Sequence, residues 1–342
     1  MRKLSLLLVV LLLAVFPVFA QDEEPTQTIA EIVLASTEAE TPEFTVLAAA
    51  LGVVDPIFAE TLAGEGSYTV FAPTDAAFTA LLEELGVTAD DLLADTVLLE
   101  AVLLYHIVPF EFSAEQLLPN AGAYLGTSLP GYAVMITETG VDQANVVMAD
   151  VMATNGTVHV IDAVLVPDMS MEEDMDMATE EPMEEPMEEP TQSIAEIVVA
   201  STEAETPEFT TLLAAVGAAD ESVLALLSGE NGAFTVFAPT DAAFAGALTE
   251  LGVEAADLLA DSMVVTGILA YHVIPGAFMT TDFARYADMS EEGVIEFVTL
   301  TGDTLEISAE GVNGLTVSAF DIAATNGVIH VIDGVLLPAE EE

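Results

Sequence analysis

Histidine occurs four times in this chain of 342 residues, and cysteine does not occur. The four form two matched pairs, His106 with His159 and His272 with His330. Imidazole changes charge near neutral pH and ligates metals, so it is the first place to look for chemistry. As a general base, His106 would work with Asp75 or Asp162. The sequence holds no G-x-S-x-G elbow and no thiol to serve as nucleophile. As metal ligands, His106 and His159 lack the helical spacing of an H-E-x-x-H site. The four are therefore read as hydrogen-bonded groups at the core or its edge, with no catalytic residue, no metal and no cofactor assigned. Carboxylates are abundant, at 59 Asp and Glu. A hydrolase of extracellular carbohydrate would need two of them in a cleft with pKa values pushed apart. The sequence marks no such pair, and that activity stands as the alternative function. Methionines at 169, 171, 175, 177, 183 and 187 put soft thioethers among acids, a donor set that suits Cu(I). The plainer reading is an expanded repeat in a spacer.

The elements around these residues occur twice. The string "TVFAPTDAAF" stands at Thr69–Phe78 and again, unchanged, at Thr235–Phe244. It reads as a buried strand over Tyr68–Ala72, ended by Pro73, which has no N–H for a sheet ladder. Thr74 then fits an N-cap. Asp75 places negative charge at the positive end of a helix over Ala76–Leu85, with Phe78, Leu81, Leu82 and Leu85 on one face and Gly86 as its stop. Pro239, Thr240 and Asp241 repeat this corner. Upstream, Ile29–Ser36 and Phe44–Leu51 read as short helices. Downstream, Thr88 starts a further helix, and Asp95 caps another that runs into Tyr105-His106. From Tyr132 the pattern turns to strands, with Asn155-Gly156 as a tight-turn signal. "LLYHIVPF" at 103–110 matches "LAYHVIPG" at 269–276, and "ATNGTVHVIDAVLVP" at 153–167 matches "ATNGVIHVIDGVLLP" at 324–338. The offset grows from 165 to 171, far longer than a solenoid period. Each unit is a whole domain.

Residues 1–20 read as a cleaved signal peptide: Arg2 and Lys3, an apolar run over Leu4–Phe16, and small residues before Gln21. Removing the two basic residues of the leader takes the formal charge from −56 to −58 and leaves Arg285 as the remaining base. Such a chain repels nucleic acid and anionic lipid heads, and attracts cations weakly. Hydrophobic residues make up 53%, so the acids coat cored domains and are not a disordered tail. No second long apolar run follows the leader, so no membrane span is expected in the mature chain. The expected layout is a first domain over 21–168, an acidic Met/Glu/Pro linker over 169–190 that acts as an extended spacer, and a second domain over 191–342.

The three boxes resemble those of the fasciclin (FAS1) family, in order and twice: Thr69–Phe78 and Thr235–Phe244, Tyr105-His106 and Tyr271-His272, Asn155–Pro167 and Asn326–Pro338. The resemblance implies an α+β fold of two tandem domains, each a wedge-like sandwich of two small sheets with helices on one side. It implies an exported adhesion or matrix module, secreted or periplasmic, with cell-surface or matrix protein or polysaccharide partners. By the same resemblance Tyr105, His106, Tyr271 and His272 are the ligand-binding candidates. Pro73, Thr74, Asp75, His159, Pro239, Thr240, Asp241 and His330 form the structural motif.

Overall fold

A computed structural model describes residues 25–39, 42–169, 190–202, 204, 207–229, 232–290 and 292–338. Residues 1–24, expected to include a signal peptide, and nearly all of 169–190, including the methionines from 171 onward, lie outside these residues. The first unit opens with three short helices, α1 (Ile29–Thr37), α2 (Thr45–Val53) and α3 (Pro56–Ala63). Strand β1 (Tyr68–Pro73) follows, then α4 (Asp75–Leu85), α5 (Ala89–Ala94) and α6 (Thr96–Tyr105). Beyond them come β2 (Ile107–Val108), α7 (Ala114–Leu117), β3 (Tyr124–Gly126), β4 (Ala133–Met135), β5 (Gly140–Val141), β6 (Ala144–Ala153) and β7 (Gly156–Ile161).

The second unit repeats the order: α8 (Ile194–Thr202), α9 (Thr210–Ala218), α10 (Glu221–Leu227), β8 (Phe234–Pro239), α11 (Asp241–Leu251), α12 (Ala255–Leu259), α13 (Ser262–Tyr271) and β9 (Val273–Pro275). It closes with α14 (Thr280–Met289), β10 (Val294–Val298), β11 (Thr304–Ser308), β12 (Gly311–Val312), β13 (Val317–Ala324) and β14 (Gly327–Ile332). Among the described residues no single helix is long and apolar enough to cross a membrane.

Local chemistry sets these bounds. Thr74 accepts from the Ala77 N–H and caps α4, and Gly86 ends it at φ 67°, a left-handed conformation glycine adopts without strain. Thr88 and Asp95 cap α5 and α6 as their spacing predicts. Leu85, expected on the inner face of α4, is instead exposed, in the last turn before Gly86. Pro73 is the last residue of β1, opposite Ile161, and Pro239 lies opposite Ile332 in the same way.

Each unit has a larger sheet built on a parallel pair of wholly buried strands, β1 beside β7 and β8 beside β14. The orders are β2-β1-β7-β6-β5 and β13-β14-β8-β9. The smaller sheets are not separate. Strand β3 of the first unit pairs parallel with β10 of the second at Tyr124 and Phe297, giving one five-stranded sheet, β12-β11-β10-β3-β4. The sequence between them reads as an extended spacer, and the two domains it joins share a sheet.

More than this pairing holds them. Asn120 Nδ2 donates to the Gly302 carbonyl (2.7 Å), Gly131 N–H to the Ala277 carbonyl (2.8 Å), and Ala133 N–H to the Tyr286 hydroxyl (2.7 Å). Tyr124 packs on Tyr286 (4.7 Å between ring centres) and on Phe297 (5.6 Å). Arg285 donates to the Gly131 carbonyl and lies 4.7 Å over the Tyr132 ring, a cation–π contact across the boundary. One apolar cluster runs through both units and includes Phe112, Leu125 and Leu129 with Val298 and Leu300.

Candidate functional site

The carboxylate of Asp75 does not cap the helix it begins. Its oxygens accept from Thr45 Oγ1 (2.6 Å) and Val46 N–H (2.9 Å), at the start of α2, whose own N-cap residue Phe44 offers no side-chain acceptor. Asp241 does the same for α9, accepting from Thr210 Oγ1 (2.5 Å) and Thr211 N–H (2.7 Å). Burial works against the Asp241 charge, but hydrogen bonds from Thr210 and Thr211 outweigh it and hold the carboxyl below its usual range. The Asp75 and Asp241 N–H groups in turn reach the Glu43 and Glu208 carbonyls (2.8 Å each). The corner motif thus joins two helices some thirty residues apart, where its own helix alone was expected to benefit.

Buried threonines and asparagines of the boxes also tie distant segments together. Thr69 Oγ1 donates to the Phe110 carbonyl and accepts from Phe112 N–H. Thr235 repeats this with Gly276 and Phe278. Asn155 accepts from Ile29 N–H at the start of α1 and donates to the Leu62 and Gly64 carbonyls. Asn326 accepts from Ile194 and donates to Leu226 and Leu227.

All four histidines are buried and bonded through both ring nitrogens. His106 Nδ1 meets the Val102 carbonyl (2.7 Å), so it carries the proton, and Nε2 accepts from Leu165 N–H (3.0 Å). His272 makes the same two bonds with Ile268 and Leu336. His159 and His330 use the other tautomer: Nε2 donates to Phe112 and Phe278, and Nδ1 accepts from Asp150 and Asp321 N–H. His106 bonds neither Asp75 nor Asp162, whose carboxylate accepts from Asn145. Burial lowers the pKa of His106 and His272 to about 4. A second proton would also have to face an N–H that already points at the ring.

The folded state therefore binds these two protons less readily than the unfolded chain, whose histidines titrate near 6.5. The stability they contribute is complete above about 6.5 and is lost as pH falls toward 4. Glutamine can donate and accept in the same way but does not titrate. The melting-temperature advantage of the wild type over a His106→Gln, His272→Gln variant should shrink as pH falls from 7 to 4. A constant difference would contradict the assignment.

Tyr105 and Tyr271 end α6 and α13 and are 7% and 5% exposed. The Tyr105 hydroxyl donates to Asp142 (2.8 Å) and lies 3.1 Å from the Ala133 carbonyl; Asp142 also accepts from Met135 N–H (2.7 Å). Asn313 holds the matching place in the second domain, and both residues have φ 47°. There the proton runs the other way: Asn313 Nδ2 donates to the Tyr271 hydroxyl (3.2 Å), which donates to the Thr304 carbonyl (3.0 Å). Burial, then the Asp142 charge, pushes the Tyr105 hydroxyl well up. Burial also raises Asp142, despite its hydrogen bonds. A carboxyl raised on folding contributes stability below its unfolded pKa and loses it as pH rises through the folded one. Asp142→Asn should therefore fold with the second domain's bonding pattern, and gain on the wild type in melting temperature as pH rises from 3 to 7. A variant that loses ground over that range would show the ionised pair to be the stabilising form.

All four side chains of the Tyr-His pairs are thus buried and bonded within the fold. Among the described residues no group of three or more His, Cys, Asp or Glu is placed to hold a metal ion. An open depression of about 590 Å³ beside α8, lined by Ser193, Glu196, Val199 and Thr325, contains none of the candidates.

The sequence model of the Fasciclin domain matches residues 42–167 and 207–338. Protein sll1483 of Synechocystis sp. is 39% identical over 176 residues, 50% of this chain and 88% of that protein. Transforming growth factor-beta-induced protein ig-h3 of Sus scrofa is 30% identical over 285 residues, 80% of this chain and 35% of that protein. Periostin of Homo sapiens is 28% identical over 294 residues, 82% of this chain and 29% of that protein. The chain thus spans about a third of the length of the last two. The solved FAS1 domain pair of the insect cell adhesion molecule Fasciclin I aligns over 91% of this chain and 97% of its own, at 18% identity and a TM-score of 0.33. With both halves matched and every box in place, the chain belongs to the Fasciclin family and carries two tandem FAS1 domains of α+β fold.

Proposed function

We propose that the chain is an exported, non-enzymatic adhesion or matrix-binding module, secreted or periplasmic, that binds protein or polysaccharide partners through its two FAS1 domains. One observation carries this reading. The tyrosines, histidines and asparagines of the boxes are buried and bonded within both copies, so the outward surface, displayed twice on one joined body, is what remains for recognition. Two weak contacts at fixed separation gain avidity without any new contact. The Tyr-His pairs serve this by fixing the corner between helix and sheet. Family membership over most of the mature chain supports the same reading.

The test is retention of the mature protein on immobilised cell-wall and matrix polysaccharides and matrix proteins, with each domain's outer surface altered in turn. Retention that weakens when either domain is altered is expected. Release of soluble fragments from a polymer, with no retention, would replace this reading with the hydrolase.

A further inference from the structure

The turn between α4 and α6 presents apolar side chains to solvent, and α11 to α13 does so at the matching positions. Leu85, Val87, Leu251 and Val253 are 40–55% exposed; Val97 and Met263 are 78% and 82% exposed. Scattered single apolar residues on a surface need no explanation. These recur at matching positions in the two copies. Both copies keep them apolar, with valine replaced by methionine at the outermost position. Exposed neighbours have meanwhile changed class: Glu83 is Thr249, Thr88 is Glu254, and Asp90 is Ala256.

The presentation is rigid. Gly86 and Gly252 turn the chain at φ 67°, and Val87 and Val253 N–H groups close back on the Leu82 and Leu248 carbonyls (3.2 Å each). Asp95 and Asp261 fix the start of the next helix by accepting from Leu98 and Val264 N–H. Between the apolar ends lies α5, six residues and about 9 Å long. In the second domain the matching helix α12 has five residues.

Charge selects the occupant. Glu83, Glu84 and Asp90 border the first patch, and Glu250, Glu254 and Asp257 the second. The base remaining after removal of the leader, Arg285, is held at the domain boundary. A second copy would bring acids against acids. We propose that these two patches are docking surfaces for a basic amphipathic helix of a partner protein, which places apolar side chains on Leu85, Val87 and Val97, or on Leu251, Val253 and Met263, and its lysines or arginines on the surrounding acids. This rests on the reading of the chain as a binding module and gives that module a partner chemistry.

The probe is a synthetic Leu/Lys helix with one apolar face, titrated into the full mature chain at 0.1 M NaCl, where charges interact over about 10 Å. Two peptides bind per chain. Affinity falls at least about tenfold, or 1.4 kcal/mol, for a scrambled peptide of equal charge and for the variant L85S/V97S/L251S/M263S, whose circular dichroism is unchanged. Equal binding of the scrambled peptide, or full affinity in the variant, overturns the proposal by reducing it to bulk attraction between opposite charges. A Glu-for-Lys peptide that binds as well overturns it too, as does self-association of the chain that the serines abolish. The serine variant is also run on the immobilised polymers. Retention there with peptide affinity undiminished removes this surface alone, whereas loss of retention by the wild type removes the binding-module reading.

Discussion

Gly126→Val should split one thermal unfolding transition into two. Gly126 ends β3 and faces the second domain, where a Cβ would fall inside the contact radius of the Pro275 carbonyl oxygen and press on the Phe278 ring (2.8 Å). The obstructing atom is backbone, so no rotamer change relieves the clash. Gly276, opposite, has φ 84°, and a Cβ there would lie 2.9 Å from the Thr127 carbonyl oxygen, so the boundary has little slack there. Overpacking of this kind costs about 1–3 kcal/mol within a core. Here the cheaper relief is to separate β3 from β10, which breaks the shared sheet and leaves each larger sheet intact. The wild type should unfold in one calorimetric transition, because a sheet and an apolar cluster cross the boundary. Gly86→Ala is the control: φ is 67° and nothing lies near, so it strains a turn without touching the boundary. It should lower the single transition without dividing it. A Gly126→Val protein that melts as one unit at the wild-type temperature would show the shared sheet to be dispensable to the pairing of the domains.

The legible parts of this fold are those whose chemistry is local. Thr74, Thr88 and Asp95 cap helices within three residues, and Gly86 stops one; each could be placed from spacing alone. The Asn-Gly turns were legible as turns, but not as ties to α1 and α3, because the groups they bond lie some ninety to a hundred and thirty residues away. Helix α3 was missed although Asp55-Pro56 announces it: Asp55 accepts from Ile57 N–H and proline fills the first turn. It buries little beyond Leu62, so its apolar period is faint. The joined sheet had no local signal, since β3 is three residues long and meets β10 at one residue pair. A nonlocal clue was available in composition. Arg285 is the one basic residue of the sequence beyond position 3, and it lies against Tyr132 and Tyr286, at the boundary of the two domains.

The second large effect falls on the duplicated string. Asp75→Ala should destabilise the first domain by about 2 kcal/mol, within the range for a charged hydrogen-bond acceptor and for a lost N-cap. At about 2–4 °C per kcal/mol for a unit of this size, the melting temperature falls by several degrees. Three losses combine. The Val46 N–H and the Thr45 hydroxyl at the start of α2 lose their acceptor, and the negative charge leaves two helix N-termini at once. Asp241→Ala should act alike, since Thr210 and Thr211 occupy the same places. The discriminating variant is Phe44→Ser. Phe44 is buried, so Phe44→Ser alone costs about 3–5 kcal/mol in lost packing. But a serine at the N-cap of α2 can supply the missing acceptor from within the helix, so in a double-mutant cycle the same substitution should cost measurably less in the Asp75→Ala background than in the wild type. Asp75→Asn should be intermediate, because its amide oxygen accepts one of the two bonds without the charge. Partner affinity, measured on the folded fraction, should stay constant across the series. If Asp75→Ala melts with the wild type and loses partner binding, the string is displayed for recognition and not needed for folding. Its presence in both domains would then report two binding sites instead of two copies of one helix clamp.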